Sequence, residues 1–96
     1  MDIIFEEMSK LVPLKSVQKF RKDKDFLIVT TFNNEYHFLN EVATDIFLNC
    51  NGIFTIMDIY NIIKQTYEVD DNLLKKDLIN IIRDFQWNHL IELAKY

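Results

Sequence analysis

A chain of 96 residues with one glycine, one proline and one cysteine has little room for flexible loops and none for an internal disulfide. A lone cysteine suits a reducing cytoplasm, which is the expected location. Acids outnumber bases, 15 to 11, for a net charge of −4, and no dense basic cluster is visible. Nucleic-acid binding draws on such a cluster to displace counterions from phosphates, so a nucleic-acid partner is not expected. No run approaches the roughly 18 apolar residues of a membrane span. The start, Met1-Asp2-Ile3-Ile4-Phe5-Glu6-Glu7, has no basic leader region and meets acids before an apolar stretch can form. It does not read as a signal peptide, and no membrane association is expected.

What the chain does contain is 49% hydrophobic and 27% charged residues, an ordinary balance for one folded domain. The expectation is a single domain over 1–96 in which 1–15 forms an N-terminal arm. Within that arm Ile3, Ile4, Phe5, Met8, Leu11 and Val12 suggest a helical stripe that Pro13 interrupts.

The remainder divides into strands and then helices. A first strand is placed over Ser16 to Phe20, followed by a polar turn, Arg21-Lys22-Asp23-Lys24-Asp25. Phe26 to Phe32 is rich in β-branched and aromatic residues and reads as a central strand. Asn33-Asn34 supplies a two-residue hairpin signal, because asparagine tolerates positive φ, and Glu35 to Leu39 returns as the third strand. Asn40 is a good N-cap for a helix from Glu41 to about Asn49, and Gly52 is the expected left-handed residue ending it. Thr55-Ile56-Met57-Asp58 fits a capping box with Asp in place of Glu. Asp70 opens a last helix in which Leu74, Leu78, Ile81, Ile82 and Phe85 recur every three or four residues. Leu90 to Leu93 closes as an extended tail or a final turn. The predicted fold class is α+β, winged-helix-like, a three-stranded antiparallel sheet followed by three helices in the order βββααα.

Candidate chemistry is sparse. His37 and His89 are the only histidines, and with Cys50 they do not supply the ligands a metal site needs. Neither a metal nor a cofactor is expected. Cys50 lies on an apolar helix face beside Asn49 and Asn51, with no neighbour to lower its pKa, and reads as a small hydrophobe. The acids fall at helix starts or solvated faces, except Asp77 and Asp84, which lie one stripe from the core row of the last helix. A Gly-rich phosphate loop is missing. On the third strand Tyr36 and Phe38 share one face, while His37 and Leu39 share the other. One face covers the core, which leaves the other to water or to a partner.

At Leu39-Asn40, Ala43, Ile46-Phe47-Leu48, Asn51-Gly52, Thr55-Ile56, Asp58-Ile59, Tyr67 and Asp77-Leu78 the chain resembles the PQQ-biosynthesis protein D family, over about Val17 to Leu93. That family shows a strand ending Leu-Asn, a helix ending Asp-Gly, a Thr-x-x-Glu/Asp-Ile helix start and an Asp-Val in the last helix. Two departures stand out. Asn51 replaces the usual acid before Gly52, and Gln86-Trp87-Asn88-His89 stands where a glycine is common. The resemblance implies a RiPP recognition element: a non-catalytic module that binds the leader segment of a ribosomally made precursor peptide and presents it to a modifying enzyme. Radical SAM enzymes, leader peptidases and cyclodehydratases are the candidate partners. It also implies that the leader adds as a further strand beside the third strand and against the last helix. The expected contacts are Tyr36, His37 and Phe38 on the strand, with Leu73, Asp77, Asn80, Ile81 and Asp84 on the helix.

Two other function classes compete. A winged-helix DNA-binding regulator would read DNA with the helix from Ile56 to Tyr67, which carries only Lys64 as a cation. A scaffolding or dimerisation subunit, a homodimer, would exchange its N-terminal arm between protomers. An enzyme is the class least supported.

Overall fold

Two side chains start the helices at the centre of the molecule. Asn40 Oδ1 accepts from the Ala43 N–H at 2.9 Å and begins α2 (Glu41–Leu48). At α3 (Ile56–Thr66) the capping box is complete: Thr55 Oγ1 accepts from the Asp58 N–H at 3.2 Å, while Asp58 Oδ2 accepts from the Thr55 N–H at 3.0 Å. These bonds satisfy amides that the first helical turn leaves without partners. Asp70 does the same for α4 (Asp71–Trp87), accepting from the N–H groups of Asn72 and Leu73. The computed structural model describes residues 2–95, with side chains over 4–94, so Met1 and the Ile3 side chain of the predicted stripe lie outside it.

The element order is longer than βββααα. Helix α1 (Asp2–Met8) and strand β1 (Leu11–Lys15) come first; β2 (Lys19–Asp23), β3 (Phe26–Thr30) and β4 (Tyr36–Leu39) follow. The three central helices come next, and β5 (Ile91–Lys95) is last. Strands β2, β3 and β4 form the expected antiparallel meander, with β3 in the middle. Strands β1 and β5 form a separate antiparallel pair that sequence reasoning did not foresee, with Pro13 opposite Leu93. Pro13 therefore does not break an element; it lies in a two-stranded ribbon, where a missing N–H is tolerated. The architecture is α+β, and its order does not reduce to a winged helix.

Three boundaries also move. Arg21, Lys22 and Asp23 are strand rather than turn, because an edge strand with a solvated face can be polar. The turn is confined to Lys24 and Asp25, with Lys24 at φ 58°. The loop at Asn33-Asn34 is wider than a two-residue hairpin: the Thr31 N–H donates to Glu35 O at 2.9 Å, and Asn34 takes the left-handed conformation at φ 64°. Helix α2 ends at Asn49, well before Gly52. The glycine instead marks where the chain crosses β1. Its N–H donates to Pro13 O at 2.9 Å, its φ is +78°, and a Cβ there would stand 2.9 Å from Leu14 Cδ1.

One core joins these parts. Phe47 of α2, Ile59 and Ile63 of α3, Leu78 and Ile82 of α4, and Leu27 and Val29 of β3 are all essentially buried. Phe5 of α1 enters the same core edge-on to Tyr60, with ring centroids 5.3 Å apart. The N-terminal arm is thus packed on its own domain. No helix of the described residues is long and apolar enough to cross a membrane.

Candidate functional site: a trough between the free edge of β4 and helix α4

Strand β4 is an edge: among the described residues it pairs with β3 alone. Antiparallel strands alternate hydrogen-bonded and non-hydrogen-bonded pairs. The Thr31–Glu35 bond sets the phase of that alternation, so Val29–His37 and Leu27–Leu39 are the bonded pairs. The N–H and C=O groups of His37 and Leu39 are used inside the sheet. Those of Tyr36 and Phe38 point outward, away from β3.

The opposite wall is α4. Its buried row of Leu74, Leu78, Ile82 and Phe85 faces the core. Residues offset from that row, Asp77, Ile81, Asp84 and Asn88, recur at spacings of four, three and four and so form one stripe beside it. Between stripe and strand lies a groove of about 310 Å³, lined by His37, Phe38, Leu39 and Asn40, by Ala43, and by Ile81, Asp84, Phe85, Asn88 and Leu90. A second hollow of about 320 Å³ shares Asn40 and Ile81 with it and continues between α4 and the ends of α2 and α3, where Val42, Ile46, Tyr67, Asp77 and Asn80 line it. The two make one trough.

The predicted residues divide accordingly. His37, Ile81 and Asp84 converge on the groove and Phe38 borders it at the strand edge, its ring on the solvent face with Tyr36, while Asp77 and Asn80 lie in the continuation. Tyr36 brings its backbone to the edge, but its side chain lies on the solvent face of the sheet, 66% exposed. Leu73 lines a different hollow, with Ile4 of α1. Sequence reasoning did not assign Leu39, Asn40, Ala43, Phe85, Asn88 or Leu90 of the groove lining to the site. Asn88 was legible as the next member of the α4 stripe; Ala43 and Leu90 enter only through tertiary packing.

The trough is apolar at its base and acidic at its rim: Asp77 and Asp84 line it, and none of its lining residues is lysine or arginine. His37 Nε2 is buried without a hydrogen-bond partner, and the nearest carboxylate, Glu35, is 3.9 Å away. An unpartnered buried nitrogen of this kind costs on the order of 1–3 kcal/mol until something satisfies it. At the far end the Tyr67 hydroxyl donates to Asp45 Oδ2 at 2.6 Å. That bond, with burial and the Asp45 charge, pushes the Tyr67 phenol up to about 12.

Burial pushes the Cys50 thiol up to about 12, and its Sγ donates to Ile46 O at 3.3 Å, so it is the inert hydrophobe expected. Among the described residues no three His, Cys, Asp or Glu side chains gather as a metal site. The arrangement offers an extended polypeptide two things at once, unpaired amides and an apolar trough.

Comparison with known proteins bears on the family and the fold. The family model for coenzyme PQQ synthesis protein D (PqqD) matches residues 16–91. The fold is similar to that of TbiB1, solved in complex with the TbiA(beta) leader peptide: the TM-score is 0.73 at 20% identity, covering 82% of this chain and 95% of that one. No curated protein sequence matches the chain.

Proposed function

We propose, from the premise that this chain belongs to the PqqD family, that it is a non-catalytic module capturing the leader segment of a ribosomally synthesised precursor peptide. The leader adds to β4 as a fourth strand and is presented to a modifying enzyme. One observation carries the reading: the outward amides of Tyr36 and Phe38 open onto the trough walled by Ile81 and Asp84.

The two edges of the sheet differ in a way that supports this assignment. Strand β2 carries Lys19, Arg21 and Lys22, and charges of this kind discourage a further strand from pairing. Strand β4, Tyr-His-Phe-Leu, carries no lysine, arginine or carboxylate. Magnitudes assign the rest of the task to the trough. Two residues with two outward groups each offer about four hydrogen bonds, worth roughly 1 kcal/mol apiece net. That sum corresponds to about millimolar binding. A micromolar complex takes about 4 kcal/mol more, which burial of side chains against Leu39, Ala43, Ile81, Phe85 and Leu90 supplies.

Amide hydrogen exchange with and without a precursor leader peptide tests the reading. The Tyr36 and Phe38 amides, exposed in the free protein, gain protection in the complex. Unchanged exchange at both in a saturated complex removes strand addition at β4.

A further inference from the structure

The solvent face of the β2–β3–β4 sheet is not the polar surface that usually covers such a sheet. Cross-strand register places Lys19, Thr30 and Tyr36 in one row and Arg21, Ile28 and Phe38 in the next, with Asp23 and Phe26 beyond. Residues in register on one face lie about 5 Å apart, so Phe26, Ile28, Phe38 and Tyr36 form a continuous apolar strip. Of these Phe26, Tyr36 and Phe38 are exposed, at 53%, 66% and 69%. The strip borders a shallow concavity of about 380 Å³ whose opposite side is formed by Lys19 and Arg21. Among the described residues neither cation forms an ion pair, and Asp23, two positions from Arg21, is the carboxylate in these rows.

We propose that this face is a second docking surface, taken by a patch of the modifying enzyme that combines carboxylates with exposed aromatic or aliphatic side chains. The inference rests on the reading that β4 and α4 hold the peptide, because that reading leaves this face free beside it. Aromatic side chains and arginine are the residues enriched where proteins meet. The guanidinium of Arg21 suits a carboxylate held in two bonds. The face is also continuous with the β4 edge, so an enzyme seated on it lies next to the captured strand. A second copy of this chain fits less well, since each copy brings two cations and a single carboxylate, Asp23, to the face. Single-stranded nucleic acid also stacks on aromatics, but two cations on a chain of net charge −4 neutralise few phosphates.

The test is a titration of the isotopically labelled protein, followed through its amide resonances. The probes are a short acetylated peptide alternating Glu with Phe and Leu, its isomer with Lys for Glu, and oligothymidylate. The acidic peptide shifts Arg21, Ile28 and Thr30. The double variant K19E/R21E weakens it by about fivefold or more, the scale of two surface charge pairs. F26S weakens it without any change of charge. Equal binding of the Lys isomer, shifts confined to Ala43, Ile81 and Asn88, tighter binding of oligothymidylate to this face, or no binding of the acidic peptide overturns the proposal. The precursor peptide is the separate control: it shifts Ala43, Ile81 and Asn88 in wild type and K19E/R21E alike. Loss of that response in the wild type sinks the peptide-capture reading instead.

Discussion

The Tyr67 hydroxyl and the Asp45 carboxylate meet at 2.6 Å, which ties the end of α3 to the middle of α2 beside the second hollow that Tyr67 lines. A hydrogen bond to a charged group stabilises by roughly 1.5–3 kcal/mol, so Y67F lowers unfolding free energy by about that amount at neutral pH. The pH dependence has a definite sign. The folded-state phenol is raised from 10.0 to about 12, so the protonated form is favoured by folding. Its contribution is complete below pH 10 and disappears as pH rises through about 12. Denaturation of wild type and Y67F at pH 7 and near pH 12 checks this, with the gap between them closing at the higher pH.

The phase of the β4 ladder separates two proline substitutions one residue apart. Proline at Phe38 removes an outward amide and leaves the bonded pairs with β3 in place. It weakens precursor binding about fivefold for the lost hydrogen bond, at nearly unchanged stability. Proline at His37 removes an amide bonded to Val29 inside the sheet and leaves a carbonyl unpaired, costing about 1–3 kcal/mol of stability. Calorimetric titration beside thermal melts reads both. Equal melting temperatures for the two variants contradict the phase assigned here.

The acidic rim predicts a cationic guest. Affinity for the precursor falls as salt rises, and D77N and D84N each weaken binding by up to about fivefold, the range of exposed ion pairs. An affinity indifferent to both salt and the two neutralisations removes the electrostatic part of recognition, leaving strand pairing and apolar contact.

Gly52 is expected to resist substitution for two reasons that can be separated. At φ +78° any Cβ is strained, by about 1–2 kcal/mol, and it also meets Leu14 Cδ1 at 2.9 Å. G52A therefore lowers the melting temperature, and L14A combined with it recovers only the steric part, because the backbone strain persists. Full recovery in the double variant, read by the same melts, refutes a conformational cost at this position.

How much of this was readable follows from how local each signal is. The caps at Asn40, Thr55 and Asp70 were legible because donor and acceptor lie within three residues of each other. So was the alternation of Tyr36 and Phe38 against His37 and Leu39, and so was the α4 stripe through Asp77, Ile81 and Asp84. Strand β2 was misplaced because Lys19, Arg21 and Lys22 suit both a solvated turn and a charged edge, and only pairing with β3 decides between them. The β1–β5 pair joins opposite ends of the chain, so nothing near Pro13 announces that it lies in a strand. Gly52 is left-handed as expected but does not end α2, and its second constraint, Leu14, is distant in sequence. In the trough, Leu90 arrives after the turn at His89, φ 62°, and no periodicity in α4 reports it.

A sheet bare along one margin and fenced with lysine and arginine along the other can lengthen in a single direction. Under the proposed strand addition it takes on one guest, and any further growth depends on the margin that guest itself presents. Two copies cannot stack head to tail into a filament, because the bare side of one would have to accept the fenced side of the next. On that reading the module's sheet saturates at one added strand rather than nucleating a chain of them.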